Sequence, residues 1–97
     1  MRWHEVIHLR VIDQEYDRLI PIFTQLLEEI REKESCLKVK LFKRAQIETD
    51  VCLHLLHESK NVEVAGSPVG LRLTEALKSF GMVNHTVWTQ IDQAPTR

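Results

Sequence analysis

Residues 37–56 read Leu-Lys-Val-Lys-Leu-Phe-Lys-Arg-Ala-Gln-Ile-Glu-Thr-Asp-Val-Cys-Leu-His-Leu-Leu. Leu37, Val39 and Leu41 alternate with Lys38, Lys40, Phe42 and Arg44, and Val51, Leu53 and Leu55 alternate with Cys52, His54 and Leu56. A period of two marks strands with one face buried and the other open. Residues 45–50 between them are short enough to be a hairpin connection.

On the N-terminal side the period changes. Between Asp13 and Glu34, Tyr16, Leu19, Ile20, Phe23, Leu26, Leu27 and Ile30 recur at spacings of three and four, which is one face of a helix. Pro21 interrupts it, because proline lacks the amide that a helix interior uses. An Asp17 cap puts Pro21 in the first turn, whereas an Asp13 cap puts a kink there. Before this helix, residues 3–12 form a strand, with Trp3, Ile7, Leu9 and Val11 on one side and His4, Val6, His8, Arg10 and Ile12 on the other.

On the C-terminal side a polar loop, residues 58–66, leads to Ser67 and Pro68, an N-cap followed by proline at the first helical position. Val69, Leu73, Ala76, Leu77 and Phe80 then repeat at helical spacing up to Gly81, read here as the stop signal. Val87 and Ile91 alternate with Thr86, Trp88 and Gln90 in a fourth strand. The order β-α-β-β-α-β predicts an α+β, ferredoxin-like (split β-α-β) fold, with a four-stranded antiparallel sheet and both helices on one face. With 97 residues there is room for one domain, taken as residues 1–92 with a loose tail at 93–97.

The helix-covered side must be the more apolar one. That assigns Ile7, Leu9, Val11, Leu37, Val39, Leu41, Val51, Leu53, Leu55, Val87 and Ile91 to the core. The open face then mixes Val6, Ile12, Phe42, Leu56 and Trp88 with His4, His8, His54, Arg10, Lys38, Lys40 and Arg44, plus Cys52, Thr86 and Gln90. Water alone has little use for those apolar groups, and a second core would not hold those cations, so this face is expected to meet a second copy of the chain, a ligand, or both.

The charges agree with an anionic ligand. Thirteen Lys and Arg against fourteen acids give a net charge of -1, which argues against nucleic acid as a partner. Yet residues 13–34 carry a net of -4, and residues 37–44 a net of +4. His8 and His54 are the candidate catalytic residues, because imidazole titrates near neutrality. Arg10 offers a fork to an anionic group. Lys38, Lys40 and Arg44 read as solvated or salt-bridged.

A metal site is not expected. His4 and His8 stand roughly 13 Å apart along a strand at about 3.3 Å per residue, and His54 and His57 point to opposite faces. Cys36 and Cys52 lack ligand spacing and read as plain buried thiols. RNA-recognition modules of this topology need aromatic residues on the open face of the first and third strands. Here Trp3 faces inward, and residues 50–57 lack the required motif. No apolar run reaches the roughly 18 residues of a membrane span, so the expected location is cytoplasmic, with no membrane partner.

The stretch Ser67-Pro68-Val69-Gly70-Leu71-Arg72-Leu73, with Leu77, Phe80, Gly81, Met82 and Val83 and a Trp-containing last strand, resembles the dimeric α/β-barrel superfamily, nearest to proteins of the antibiotic-biosynthesis monooxygenase type. The resemblance implies two sheets packed open face to open face as a homodimer, with a cavity between sheet and helices or partner sheet. It also implies small-molecule chemistry without metal or cofactor, such as that of a cofactor-independent monooxygenase or an isomerase. Oxygenases of this type pair an Asn with a Trp four residues on, and Asn84 and Trp88 reproduce that spacing in the last strand. Haem-degrading relatives carry an Asn in the first strand, and this one has none.

The expectation is a homodimer binding a small polar or aromatic molecule, anionic ones included. Arg10, Phe42, Asn84 and Trp88 are the ligand-binding candidates. The alternative is a non-catalytic dimerisation or regulatory module.

Overall fold

The computed structural model describes residues 1–11, 16–33, 38–47 and 49–92, with Tyr16 and Lys33 in backbone only. The elements run β1 (Arg2–Val11), α1 (Tyr16–Lys33), β2 (Lys38–Lys43), β3 (Asp50–Glu58), α2 (Pro68–Leu77) and β4 (Gly81–Thr89). The sheet is antiparallel in the order β2-β3-β1-β4, the ferredoxin-like arrangement expected of two crossovers joined by a hairpin.

The helices cover one face. Ile7, Leu9, Val11, Val39, Val51, Leu53 and Leu55 from the sheet bury against Leu19, Phe23, Leu27 and Ile30 of α1 and Val69, Leu73 and Leu77 of α2. Burying an aliphatic or aromatic side chain contributes about 1.5–3 kcal/mol, so this layer holds the fold together. Leu41, Leu26 and Phe80 pack at its margin, while Ala76 is exposed. Ile12 and Leu37, Cys36, the Asp13 cap and the tail at 93–97 lie outside the described residues.

Four expectations are corrected. Asp17 stands inside α1 as a first-turn acid and not as its cap, so Pro21 lies in the helix interior and leaves the Asp17 carbonyl without its i+4 amide. Helix α2 ends at Leu77, capped by Lys78, whose amide donates to the Glu75 carbonyl. Gly81 therefore opens β4. Its missing side chain matters because a Cβ there would overlap the Arg10 carbonyl, a close approach between strands that a sequence pattern cannot distinguish from a helix stop. Strand β4 ends at Thr89, which leaves Ile91 beyond it, 94% exposed and outside the core. Val87 is only partly buried.

Candidate functional site

No helix covers the second face of the sheet, and register arranges its side chains in rows. Lys38, Leu56, His4 and Trp88 form one row, and Lys40, His54, Val6 and Thr86 the next. Phe42, Cys52, His8 and Asn84 follow, and then Asp50, Arg10 and Met82, which Arg44 joins by donating its backbone N–H to the Asp50 carbonyl at 3.1 Å. The alternation thus placed this face correctly. Trp88, Phe42 and Met82 remain 54, 46 and 69% exposed on it.

At one end the face converges on Asp50, which is fully buried. Its Oδ1 accepts from Arg10 Nε at 3.2 Å and Thr49 Oγ1 at 3.0 Å. Its Oδ2 accepts from Arg44 Nη1 at 3.0 Å and meets His8 Nε2 at 3.0 Å. Burial by itself raises the Asp50 pKa, but the two guanidinium groups beside it, with Thr49 and His8, hold the carboxyl far below the usual carboxylate range. A carboxylate fixed in this way orients its neighbours. In the neutral tautomer that donates Nε2–H to Asp50, the His8 Nδ1 carries the lone pair of a proton acceptor.

Two shallow hollows flank His8. One of about 360 Å³ is lined by His8, Arg10, Met82, Val83 and Asn84. The other, of about 300 Å³, is lined by His8, Phe42, Lys43, Arg44, Asp50, Val51 and Cys52. Cys52 is a free, partly buried thiol on this face and not a core residue, and burial pushes its pKa up.

The structure divides the candidate residues into groups. His8, Arg10 and Asn84 line one hollow, and His8 and Arg10 both contact Asp50. His54 belongs to a second group, stacked on His4 with ring centroids 5.8 Å apart and tilted against Phe42 at 4.6 Å. Burial, with smaller contributions from His4 and Lys40, lowers the His54 pKa and favours neutral imidazole. His8 pairs with Cys52 and His54 with Val6, which puts the two imidazoles on a diagonal of about 7–8 Å. Trp88 is two rows from Asn84, beside His4, and its Nε1 donates to Thr86 Oγ1 at 2.8 Å. Phe42 on β2 and Trp88 on β4 lie on opposite edge strands of the sheet.

Two features were missed. Asp50 was not singled out, although Arg44, read as solvated or salt-bridged, is salt-bridged to it. On the covered face, Glu5 is fully buried among apolar residues. Its Oε1 meets His57 Nε2 at 2.7 Å and accepts from Ser67 Oγ, and its Oε2 meets His85 Nε2 at 2.7 Å. Ser67 is the N-cap of α2 and also accepts from the Gly70 amide at 3.0 Å. One carboxylate thus joins β1, β3, β4 and α2. The signal was an acid at an inward position of β1, where burial demands partners. Trp3 lies inward as expected, stacked on His57 at 4.1 Å. Among the described residues no group of three His, Cys, Asp or Glu is arranged to hold a metal ion. Likewise, no described helix is long and apolar enough to cross a membrane.

The chain matches no family model and no curated protein. Solved structures share its fold over nearly the full length. Rv0793 from Mycobacterium tuberculosis is 17% identical, with a TM-score of 0.70 over 98% of this chain and 100% of that one. A variant of SnoaB, a cofactor-independent oxygenase from Streptomyces nogalater, is 11% identical, with a TM-score of 0.71 over 98% of both chains. A putative antibiotic biosynthesis monooxygenase from Bacteroides thetaiotaomicron is 9% identical, with a TM-score of 0.68 over 99% of this chain and 95% of that one. The ferredoxin-like fold of the antibiotic-biosynthesis-monooxygenase-like proteins is therefore the fold of this chain.

Proposed function

We propose that this protein works as a homodimer through the open sheet face, binding a small polar or aromatic molecule beside His8 and Arg10. The observation that carries this reading is the composition of that face. Exposed Trp88, Phe42 and Met82 supply the apolar contact that a partner sheet would cover, and the Asp50 cluster supplies oriented polar groups next to hollows of ligand size. A fold shared with a cofactor-independent oxygenase fits this reading but does not assign a reaction, because one fold hosts many chemistries.

In the enzymatic form of the proposal, His8 Nδ1 removes a proton from a bound acid while Arg10 steadies the anion that forms. Proton removal is the step that these residues can supply in a monooxygenase-like or isomerase-like reaction. His54, held toward its neutral form, is a second proton acceptor on the same face.

Sedimentation equilibrium combined with calorimetric titration of 1-naphthoate tests the proposal. The wild-type protein is expected to sediment as a dimer that binds the probe, and Trp88→Asp as a monomer with binding reduced. A wild-type monomer overturns the dimer. A dimer that binds no probe leaves the face to self-association alone, as in a non-catalytic module.

A further inference from the structure

The polar end of the ligand can be specified further, on the premise that the open face is the binding face. Asp50 receives one donor from each guanidinium, Nε of Arg10 and Nη1 of Arg44. A guanidinium has five N–H donors. The remaining four on each have no protein partner among the described residues, and the two side chains are 58 and 52% exposed. Among the described residues one negative charge therefore stands opposite two positive ones, and the remaining fork-shaped donor edges are open to solvent.

The wider face carries the same imbalance. Its described strand positions, together with Arg44, hold five cations, Arg2, Arg10, Lys38, Lys40 and Arg44, against Asp50 and Glu58, a net of +3. Arg2 and Glu58 face each other at 3.9 Å, at the end remote from Asp50. Packing two copies face to face would bring two such surpluses into a space with little water, where unbalanced charge is costly. A bound anion on each copy offsets it. Beside the guanidinium groups the hollows are lined by the apolar side chain of Met82 on one side and of Phe42 on the other.

We infer that the ligand is an aryl carboxylate, its planar carboxylate bridging the free N–H edges of Arg10 and Arg44 and its ring lying in an adjoining hollow. Asp50 is a positioning residue that holds both guanidinium groups in place. A planar two-oxygen anion suits paired forks better than a single point charge does.

The test is calorimetric titration of the wild-type protein, Arg10→Gln and Arg44→Gln with 1-naphthoate, its neutral isostere 1-naphthamide, and inorganic phosphate. Wild-type protein is expected to bind naphthoate at least about tenfold more tightly than naphthamide or phosphate, as loss of a charge-assisted hydrogen bond implies. Each substitution should weaken naphthoate at least about tenfold and naphthamide by clearly less. Arg44, just beyond β2, carries the test if Arg10→Gln does not fold.

Equal affinity for acid and amide, or no effect of either substitution, overturns the aryl carboxylate while leaving the binding face in place. Phosphate binding equal to naphthoate also overturns it, in favour of a simple anion site. Failure of both aromatic probes removes the binding face and this inference together.

Discussion

Glu5 Oε2 on β1 and His85 Nε2 on β4 lie 2.7 Å apart inside the helix-covered layer, two residues out of register, because Glu5 pairs with Val87. The same carboxylate meets His57 of β3 and takes the hydroxyl of Ser67 at the start of α2. A buried acid with three donors, one from each adjacent element, fixes where α2 begins relative to the sheet. Gly70 belongs to this arrangement, since a Cβ there would overlap the Glu5 carboxylate.

Glu5→Gln replaces one of the two carboxylate oxygens with an N–H₂, which then faces either His85 or His57 and Ser67. Leaving a buried polar group without its partner costs about 1–3 kcal/mol. Urea denaturation is expected to show a loss of that order for Glu5→Gln and a clear loss for Gly70→Ala. Wild-type stability in either variant would mean that α2 is held by apolar packing alone.

Much of this plan was legible beforehand. The alternation in residues 37–44 and 51–56 identified the hairpin and both of its faces, since a period of two is a local property of the chain. The Glu5 cluster was not legible in that way. Its partners lie 52 and 80 residues away, and they come together through strand register, which alternation does not supply. Asp50 was hidden because an acid beside a turn looks like a turn residue, and only the antiparallel pairing places Arg10 opposite it. Gly81 was misplaced because a close strand approach and a helix stop use the same residue.

Stability at acid pH follows from Asp50 and His54. The Asp50 pKa is depressed below its ordinary 3.8, so its contribution is present above that value and is lost as pH falls below it. The His54 pKa is depressed below 6.5, so the unfolded chain binds the proton more readily and stability falls as pH drops below 6.5. Urea midpoints measured across this range should decline in both windows. Asp50→Asn should flatten the lower one, and His54→Gln the upper.

Pro21 removes one hydrogen bond from the interior of α1 while its side chain is exposed. Pro21→Ala is expected to stabilise the protein by about 1–3 kcal/mol, the difference in helix preference reduced by the added freedom of the unfolded chain. A thermal melt checks the sign. A lower midpoint would mean that the irregularity at Pro21 is needed to seat α1 on the sheet.

Self-association should depend on salt in an unusual direction. Two faces of net charge +3 repel at low ionic strength, and screening shortens the reach of that repulsion from about 14 Å near 0.05 M to about 4 Å near 0.5 M. Sedimentation is expected to show a tighter dimer at the higher salt concentration. A dimer that weakens with salt would point to an interface held by opposite charges, elsewhere on the surface.

The most direct measurement is the histidine ring spectrum during titration with 1-naphthoate. His4, His8 and His54 lie on the open face, and His57 and His85 on the covered one. Binding beside Arg10 predicts that the ring signals of His8, and to a lesser extent His54, shift with the probe while those of His57 and His85 stay in place. Shifts confined to His57 and His85 would contradict this, placing the ligand between the sheet and α2.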